Sequence, residues 1–410
     1  MKILHTSDWH IGRNLYGRRR YEEFESFLNW LSGLIHTEQI NVLVVAGDIF
    51  DNTTPSNRAQ ELYYQFLKRA AASQCRHIVI IGGNHDSPSF LNAPKQILKF
   101  LNIHIIGAAL PEIEKQILVL KDDTGKAELI VVAVPYLRDR DIRSVETGES
   151  VQDKDDKIIK GISAHYTKVC KIAEQINNNL DKKVPVIATG HLFAAGGKVA
   201  KGDGVRELYI GSLAGIGADI FPEFIDYVAL GHLHSAQKVA GIDHIRYSGS
   251  PVPMGFGEAL QKKKVLVVDF FNSDASIKEV IVPVFQRLSQ VKGSLDQINE
   301  KIKELKQDNL PVWVEIIYNG EEIPADLRNF VDEMIAESKI EVLRIKNERK
   351  IDGILKAQDD KNSDNLKSLD EMDETEVFKQ CMDINNIPET QQKELSDAFS
   401  MIIKDMVEEI

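Results

Sequence analysis

Seven short apolar runs, rich in β-branched residues, recur along the chain at Lys2 to Thr6, Asn41 to Ala46, His77 to Ile81, Leu129 to Val134, Val184 to Thr189, Asp226 to Leu230 and Val265 to Phe270. Runs this short and this continuously apolar predict strands that are largely buried. Helical patterns lie between several of them. Phe24, Phe27, Leu28, Leu31, Leu34 and Ile35 recur at three- and four-residue spacing and make one apolar face. Strands interleaved with such helices predict an α/β body over residues 1–282.

After Pro283 the texture changes. A helix from Ser294 to Lys306, a strand from Val312 to Tyr318, a helix from Ala325 to Ser338 and a strand from Ile340 to Ile345 predict a small α+β domain over residues 283–350. Residues 351–374, acidic and nearly devoid of large apolar side chains from Asp359 to Asp373, read as a linker. Residues 375–410 then carry two amphipathic helical patterns, one with Val377, Phe378, Cys381 and Met382, the other with Leu395, Phe399, Ile402, Ile403 and Met406. Such a pair either docks a partner or packs back on its own domain.

The net charge of -12 is unevenly spread, since residues 356–410 hold six Lys against fifteen Asp and Glu. The body is therefore almost neutral, and global charge does not exclude nucleic-acid binding. Three well-separated cysteines, Cys75, Cys170 and Cys381, fit neither a disulfide framework nor a thiolate zinc site, so a reducing cytoplasm is expected. The opening residues leave no room for a signal-peptide apolar region, and no apolar run is long enough to span a bilayer.

Polar groups follow five of the strands directly: Asp8-Trp9-His10, Gly47-Asp48, Gly83-Asn84-His85-Asp86, Gly190-His191 and Gly231-His232-Leu233-His234. Carboxyl ends of strands are where α/β sheets form their ligand crevice. On extended backbone, residues two apart face one side, so Asp8 can act with His10 and His232 with His234. Imidazoles, carboxylates and one amide without a thiolate suit divalent ions such as Mn²⁺ or Fe²⁺ in expanded coordination. Seven ligands exceed the needs of one ion. Two ions sharing a carboxylate could generate a hydroxide between them and neutralise a phosphate under attack. His5, His36, His77, His104, His165 and His244 fall outside the pattern and are read as structural.

The ordered motifs D-x-H, G-D, G-N-H-D, G-H and G-H-x-H resemble those of the calcineurin-like metallophosphoesterases. That resemblance implies a β-sandwich flanked by helices. It also implies one ion on Asp8, His10, Asp48 and His234, a second on Asp48, Asn84, His191 and His232, and a catalytic role outside the ligand set for His85. Asp86 would orient His85, which would protonate the leaving oxygen.

Within that superfamily the chain is similar to the SbcD family, the nuclease subunits of bacterial SbcCD complexes and relatives of the eukaryotic and archaeal double-strand-break repair nuclease. The residues carrying the likeness run from Leu4 to Gly12, from Gly47 to Asp51, from Gly231 to His234 and from Tyr247 to Pro251, with Phe256-Gly257-Glu258. It implies a Mn²⁺-dependent DNA exonuclease and endonuclease acting in repair, recombination and replication. The α+β domain would cap the nuclease and bind DNA, and the C-terminal helices would grip an SbcC-type ABC ATPase, with two copies of each chain. No G-x-x-x-x-G-K-[ST] loop is present, so ATP dependence would come from that partner.

Arg13, Asn14, Tyr16, Arg18, Arg19 and Arg20 follow His10 and are candidate DNA-backbone contacts, the alternative being a solvated loop. Segments Gln60 to Ala71 and Phe90 to Leu101, with Leu62, Phe66, Leu91, Ile97 and Leu98, are candidates either for a homodimer interface or for ordinary core. Two rival functions share the same motifs: a small-molecule phosphodiesterase or phosphatase, and a non-catalytic scaffold. The complete ligand set opposes the scaffold, and the acidic linker and C-terminal pair favour the nuclease.

Overall fold

The computed structural model describes residues 1–142, 151–194, 216–271, 274–320 and 327–347, with Phe378, Met382, Gln392, Leu395, Ser396 and Phe399. Strands β1 (Lys2–Thr6), β2 (Val42–Ala46), β3 (His77–Ile81) and β4 (Ile103–Ile106) run parallel. β5 (Ile117–Lys121), β6 (Ala127–Val132), β7 (Val186–His191), β8 (Tyr227–Gly231), β9 (Gln237–Val239) and β10 (Ile242–Tyr247) make a second sheet, ordered β5-β6-β7-β8-β10-β9. β11 (Lys264–Phe271) returns antiparallel to β1, and the edge strand β12 (Asp274–Ile281) completes the first sheet as β12-β11-β1-β2-β3-β4.

Alternate side chains of these strands enter different cores, because successive residues face opposite sides of a sheet. Ile3, Val42, Val44, Val79, Ile187 and Ala229 fill the space between the two sheets. Leu4, Leu43, Val45, Ile78 and Ile80 instead pack beneath helices α1 (Tyr21–Thr37) and α2 (Asn57–Ala71). On the far side, Ile130, Val186, Ala188, Val228 and Leu230 meet Ile162, Tyr166, Val169 and Ala173 of the long helix Val151–Asn178. Strands buried on both faces explain why the runs read as continuous rather than alternating. The result is the helix-flanked β-sandwich that the motifs implied.

All seven expected strands form. Missing from the sequence reading are β4, β5, β9 and β12, all sheet edges, β10 beside one of them, and the strand Arg287–Gly293 of the small domain. The expected strand at Val312 to Tyr318 is β14 (Val312–Tyr318), in a three-stranded sheet between β13 (Arg287–Gly293) and β15 (Ile340–Asn347). Its helices occupy Leu295–Gln307 and Leu327–Ile335.

The chain divides into two compact units, one of Met1–Val291, Ile302–Glu315 and Ile335–Arg344, the other of Lys292–Lys301, Ile316–Met334 and Ile345–Ile410. The expected linker at 351–374 lies outside the described residues, as do Val377, Cys381, Ile402, Ile403 and Met406. Phe378 and Phe399, one from each amphipathic pattern, stack with ring centroids 4.1 Å apart, and Met382 is buried. Cys75 and Cys170 are buried and free. Among the described residues no helix is long and apolar enough to cross a membrane.

The segment after β1 is anchored by Trp9. Its ring is fully buried edge-on to Phe27 and Phe66, and its Nε1 donates to Thr6 Oγ1 at 2.9 Å. Trp9→Ala is expected to cost about 3 to 5 kcal/mol in urea denaturation, the usual range for emptying a buried aromatic site. A loss below about 1 kcal/mol would mean that the ring is not a core element.

Candidate metal centre

Three parallel strands of one sheet and two of the other end at the same place. β1 delivers Asp8 and His10, β2 delivers Asp48, β3 delivers Asn84 and His85, β7 ends on His191, and β8 leads into His232 and His234. The chain must turn abruptly there. Asp8, His10, Asp48 and His232 all adopt positive φ, at 52°, 48°, 51° and 103°. Left-handed backbone carries local strain at residues other than glycine, and here it recurs at four of the residues named from the motifs.

Glycine makes the approach close enough. A Cβ on Gly47, itself at φ 88°, would stand 2.4 Å from Nδ1 of His191, and one on Gly231 would stand 2.0 Å from the Ala46 carbonyl oxygen. Neither position accepts a side chain.

Asp48 lies at the centre. Its Oδ2 is 3.3 Å from Nε2 of His191 and 3.6 Å from Nε2 of His10, and its Oδ1 accepts the backbone N–H of His85 at 2.9 Å. Asp8 accepts from Ser7 Oγ and from the His232 N–H. The Asn84 side-chain oxygen faces His191 Nε2 at 2.9 Å and His232 Nδ1 at 3.1 Å. Rings of His10 and His234 lie 5.1 Å apart, those of His191 and His232 5.3 Å.

Such a cluster has unmet electrostatic demand. Among the described residues neither nitrogen of buried His10 has a hydrogen-bond partner, the carboxylates of Asp48 and Asp51 standing 3.6 and 3.5 Å away. Ligand atoms of Asp8, His10 and His234 lie within 4.8 Å of one another, as do those of Asp8, Asp48 and His191. Burial pushes His10 down to about 4 and His232 to about 3, so both keep lone pairs near neutral pH. Burial also raises Asp8. It opposes charge on Asp48, yet His191 and His10 outweigh it and hold that carboxyl well below the usual range. Against the same burial, Asp48 raises His191 to about 9. Buried carboxylates converging with imidazoles and an amide fit divalent cations, and the seven side chains named from the motifs come together here.

Two expectations about neighbouring residues need correction. Asp86 does not touch the His85 ring: its buried carboxylate accepts the backbone N–H groups of Ile49, Phe50 and Gly83 and so fixes the turns. The His85 ring is held instead by Asp51, whose carbonyl oxygen lies 2.9 Å from Nδ1. A carbonyl can only accept, so Nδ1 carries the proton and Nε2 is left for chemistry. The Asp51 carboxylate also lies 3.5 Å from His10 Nδ1 and accepts from Arg13 Nη1 at 3.1 Å. Sequence reasoning gave Asp51 no role of its own; its position three residues beyond Asp48, at the end of the Gly47 to Asp51 stretch, was the available signal.

In the arginine-rich loop, Arg20 is the second correction. Its guanidinium is buried against Glu23 at 2.7 Å and beside the Phe24 ring, which removes it from DNA contact. Arg13 is half-buried on Asp51. Arg18 pairs with Glu341, and Tyr16 stacks on Phe256 while accepting from Arg344. Asn14 and Arg19 are exposed. Among the proposed dimer residues, Leu62, Phe66, Leu91 and Leu98 face the core, whereas Ile97 is exposed together with Phe100 and Leu101.

The sandwich and its ligand set define a metallophosphoesterase, and the family model for calcineurin-like phosphoesterases matches residues 1–236. A second model, described as the type 5 capsule protein repressor C-terminal domain, matches residues 284–386. The D subunit of the nuclease SbcCD from Escherichia coli strain K12 is 34% identical over 408 residues, covering 98% of this chain and 97% of that protein. Its namesake from Bacillus subtilis strain 168 is 32% identical over 321 residues, covering 77% and 78%. The chain belongs to the SbcD family of calcineurin-like phosphoesterases.

Metal uptake has a pH signature. Asp48 raises His191 to about 9, and His191 would have to lose that proton to serve as a ligand imidazole. Mn²⁺ binding is expected to release about one proton below that pH, with affinity rising up to about tenfold per unit before levelling off. Calorimetric titration in buffers of different ionisation enthalpy measures this. Affinity that does not change with pH would contradict the pairing.

Proposed function

We propose that the chain is the nuclease component of a DNA-processing complex. It is a phosphodiesterase dependent on two divalent ions, Mn²⁺ above others, that trims double-stranded ends and cuts single-stranded and hairpin DNA. It works in repair, recombination and replication with an SbcC-type ABC ATPase, two copies of each chain forming the assembly. The carrying observation is the convergence of Asp8, His10, Asp48, Asn84, His191, His232 and His234 at the ends of five strands. The relatives, named as nucleases of an SbcCD complex, support the substrate class and the partner.

Asp8, His10 and His234 would hold one ion and Asn84, His191 and His232 the other, with Asp48 available to both. The pair of ions, when bound, activates water and offsets phosphate charge. His191 keeps Nε2 directed inward because its Nδ1 donates to the Ala46 carbonyl at 2.9 Å. His85, fixed through its Nδ1–H by the Asp51 carbonyl, presents Nε2 to the scissile phosphate and, with both ring nitrogens protonated, hands the Nε2 proton to the departing oxygen, keeping the Nδ1 proton. Asp86 supports this from the backbone turns rather than from the ring.

DNA runs past the 13–20 loop, whose Arg13 shares Asp51 with His10 and so adjoins the metal centre. Asn14 and Arg19 meet backbone phosphates directly, while Arg13, Tyr16 and Arg18 shape the loop. The α+β region helps the nuclease bind DNA, and the C-terminal helical pair, with Phe378 on Phe399, docks the ATPase. A second copy covers exposed Ile97, Phe100 and Leu101, which supports a homodimer. A DNA substrate places the work in the cytoplasm, at the nucleoid.

His85→Ala is expected to retain metal and DNA binding while losing about 100-fold or more in cleavage, the scale of a removed general acid. Asp48→Ala should lose cleavage together with metal. Hairpin DNA and a generic small phosphodiester, assayed with Mn²⁺, SbcC partner and ATP, separate the readings: cleavage of the small ester alone would establish a small-molecule enzyme, and no cleavage of either a scaffold. Arg19→Ala should weaken DNA binding uniformly across sequences and lower the salt-dependence slope by about one. An unchanged slope would remove Arg19 from the interface.

A further inference from the structure

Beside the metal centre lies a buried ion pair to which no catalytic step has been assigned. Glu258, fully buried in the turn Phe256–Glu258, places Oε1 3.5 Å from Nδ1 of His234, and among the described residues no other side chain or backbone group bonds to that oxygen. Its other oxygen accepts the Met254 N–H at 2.9 Å and an N–H from Lys263. The buried Lys263 ammonium also donates to the His234 carbonyl oxygen at 3.1 Å, to Ser250 Oγ at 3.0 Å and to Gln261 Oε1 at 3.3 Å. One residue of the pair meets the ring of His234 and the other its backbone.

We propose that Glu258 and Lys263 are positioning residues for His234 and set the affinity of the ion shared by Asp8, His10 and His234. This deepens the two-ion reading and rests on it. Burying a carboxylate and an ammonium is costly, and a fold gains little stability from it. The return here is geometric. With Nδ1 turned to Glu258, Nε2 is the nitrogen left for the ion, and a carboxylate behind a ligating imidazole fixes its tautomer and strengthens it as a donor. Lys263 balances the carboxylate charge and pins the main chain, so the ring cannot swing away.

The support is asymmetric across the centre. His10 and His234 are both backed by carboxylates, Asp51 at 3.5 Å and Glu258 at 3.5 Å, whereas His191 is backed by the neutral Ala46 carbonyl. The two ions are therefore bound with unequal affinity, and Glu258 acts on one of them.

Mn²⁺ titration of the full chain, followed by calorimetry and by the electron paramagnetic resonance of free Mn²⁺, tests this alongside the melting point of the metal-free protein. Glu258→Gln is expected to weaken one ion about 10- to 100-fold, the usual effect of losing such a supporting carboxylate, and to leave the other unchanged. The double variant Glu258→Gln, Lys263→Met removes both charges, so the ammonium is not left unpaired; it should show the same selective loss with a melting point nearer the parent's. Two ions bound at parental affinity in both variants would overturn the proposal. So would parallel weakening of both ions with a fall in melting point, which marks simple packing. A parental isotherm with a single ion would refute the two-ion reading, while the variants' effect on that ion would still decide the role of Glu258.

Discussion

The Asp48 carboxylate is the constraint around which the rest is arranged. It is buried and charged, bonded to the His85 N–H and bordered by His10 and His191. An ionised carboxylate away from water needs nearby positive charge or good donors. The neighbouring His191, raised to about 9 by the pairing, answers that need, and bound divalent ions would answer it in its place. The parallel alignment of β1, β2 and β3 brings Asp8, Asp48 and Asn84 to one edge, and the second sheet closes on them with His191 and His232. Four residues with left-handed backbone and glycines that admit no Cβ are the local cost of that convergence. The three apolar layers on either side of and between the sheets hold it in place.

Much of this was legible in the sequence because apolar runs ending in glycine and a polar ligand carry two signals at once, a buried strand and a turn. The edge strand β12 was less legible: Lys278 and Glu279 break up its apolar character. Asp86 misled for a physical reason: beyond the end of β3 the chain bends at residues 84–86, and its carboxylate turns to backbone amides while His85 turns to Asp51. Asp51 and Glu258 lie against the rings of His85, His10 and His234 but outside the five ordered motifs, so the motifs did not point to them. Periodicity showed that Leu62 and Phe66 share an apolar face, but not that the face meets the protein's own core. Arg20 read as one more loop cation, yet it starts α1 and pairs inward with Glu23 three residues on.

Support around the metal centre extends outward in two directions. Through Asp51 it reaches Arg13 and the loop whose Tyr16 and Arg18 meet Arg344 and Glu341. Through Glu258 it reaches Lys263, beside the start of β11. Loop and turn also meet each other, for Leu15 and Phe256 share a small apolar cluster with Leu288. Residues expected to contact DNA are thus partly occupied in building the site, a division of work that suits a nuclease in which backbone contact and metal geometry must agree.

Anomalous diffraction from crystals of the Mn²⁺-soaked chain, collected at the manganese edge, tests the central claim most directly. Two peaks about 3.5 to 4 Å apart with Asp48 between them are predicted. A single peak, or two that do not share Asp48, would contradict the account.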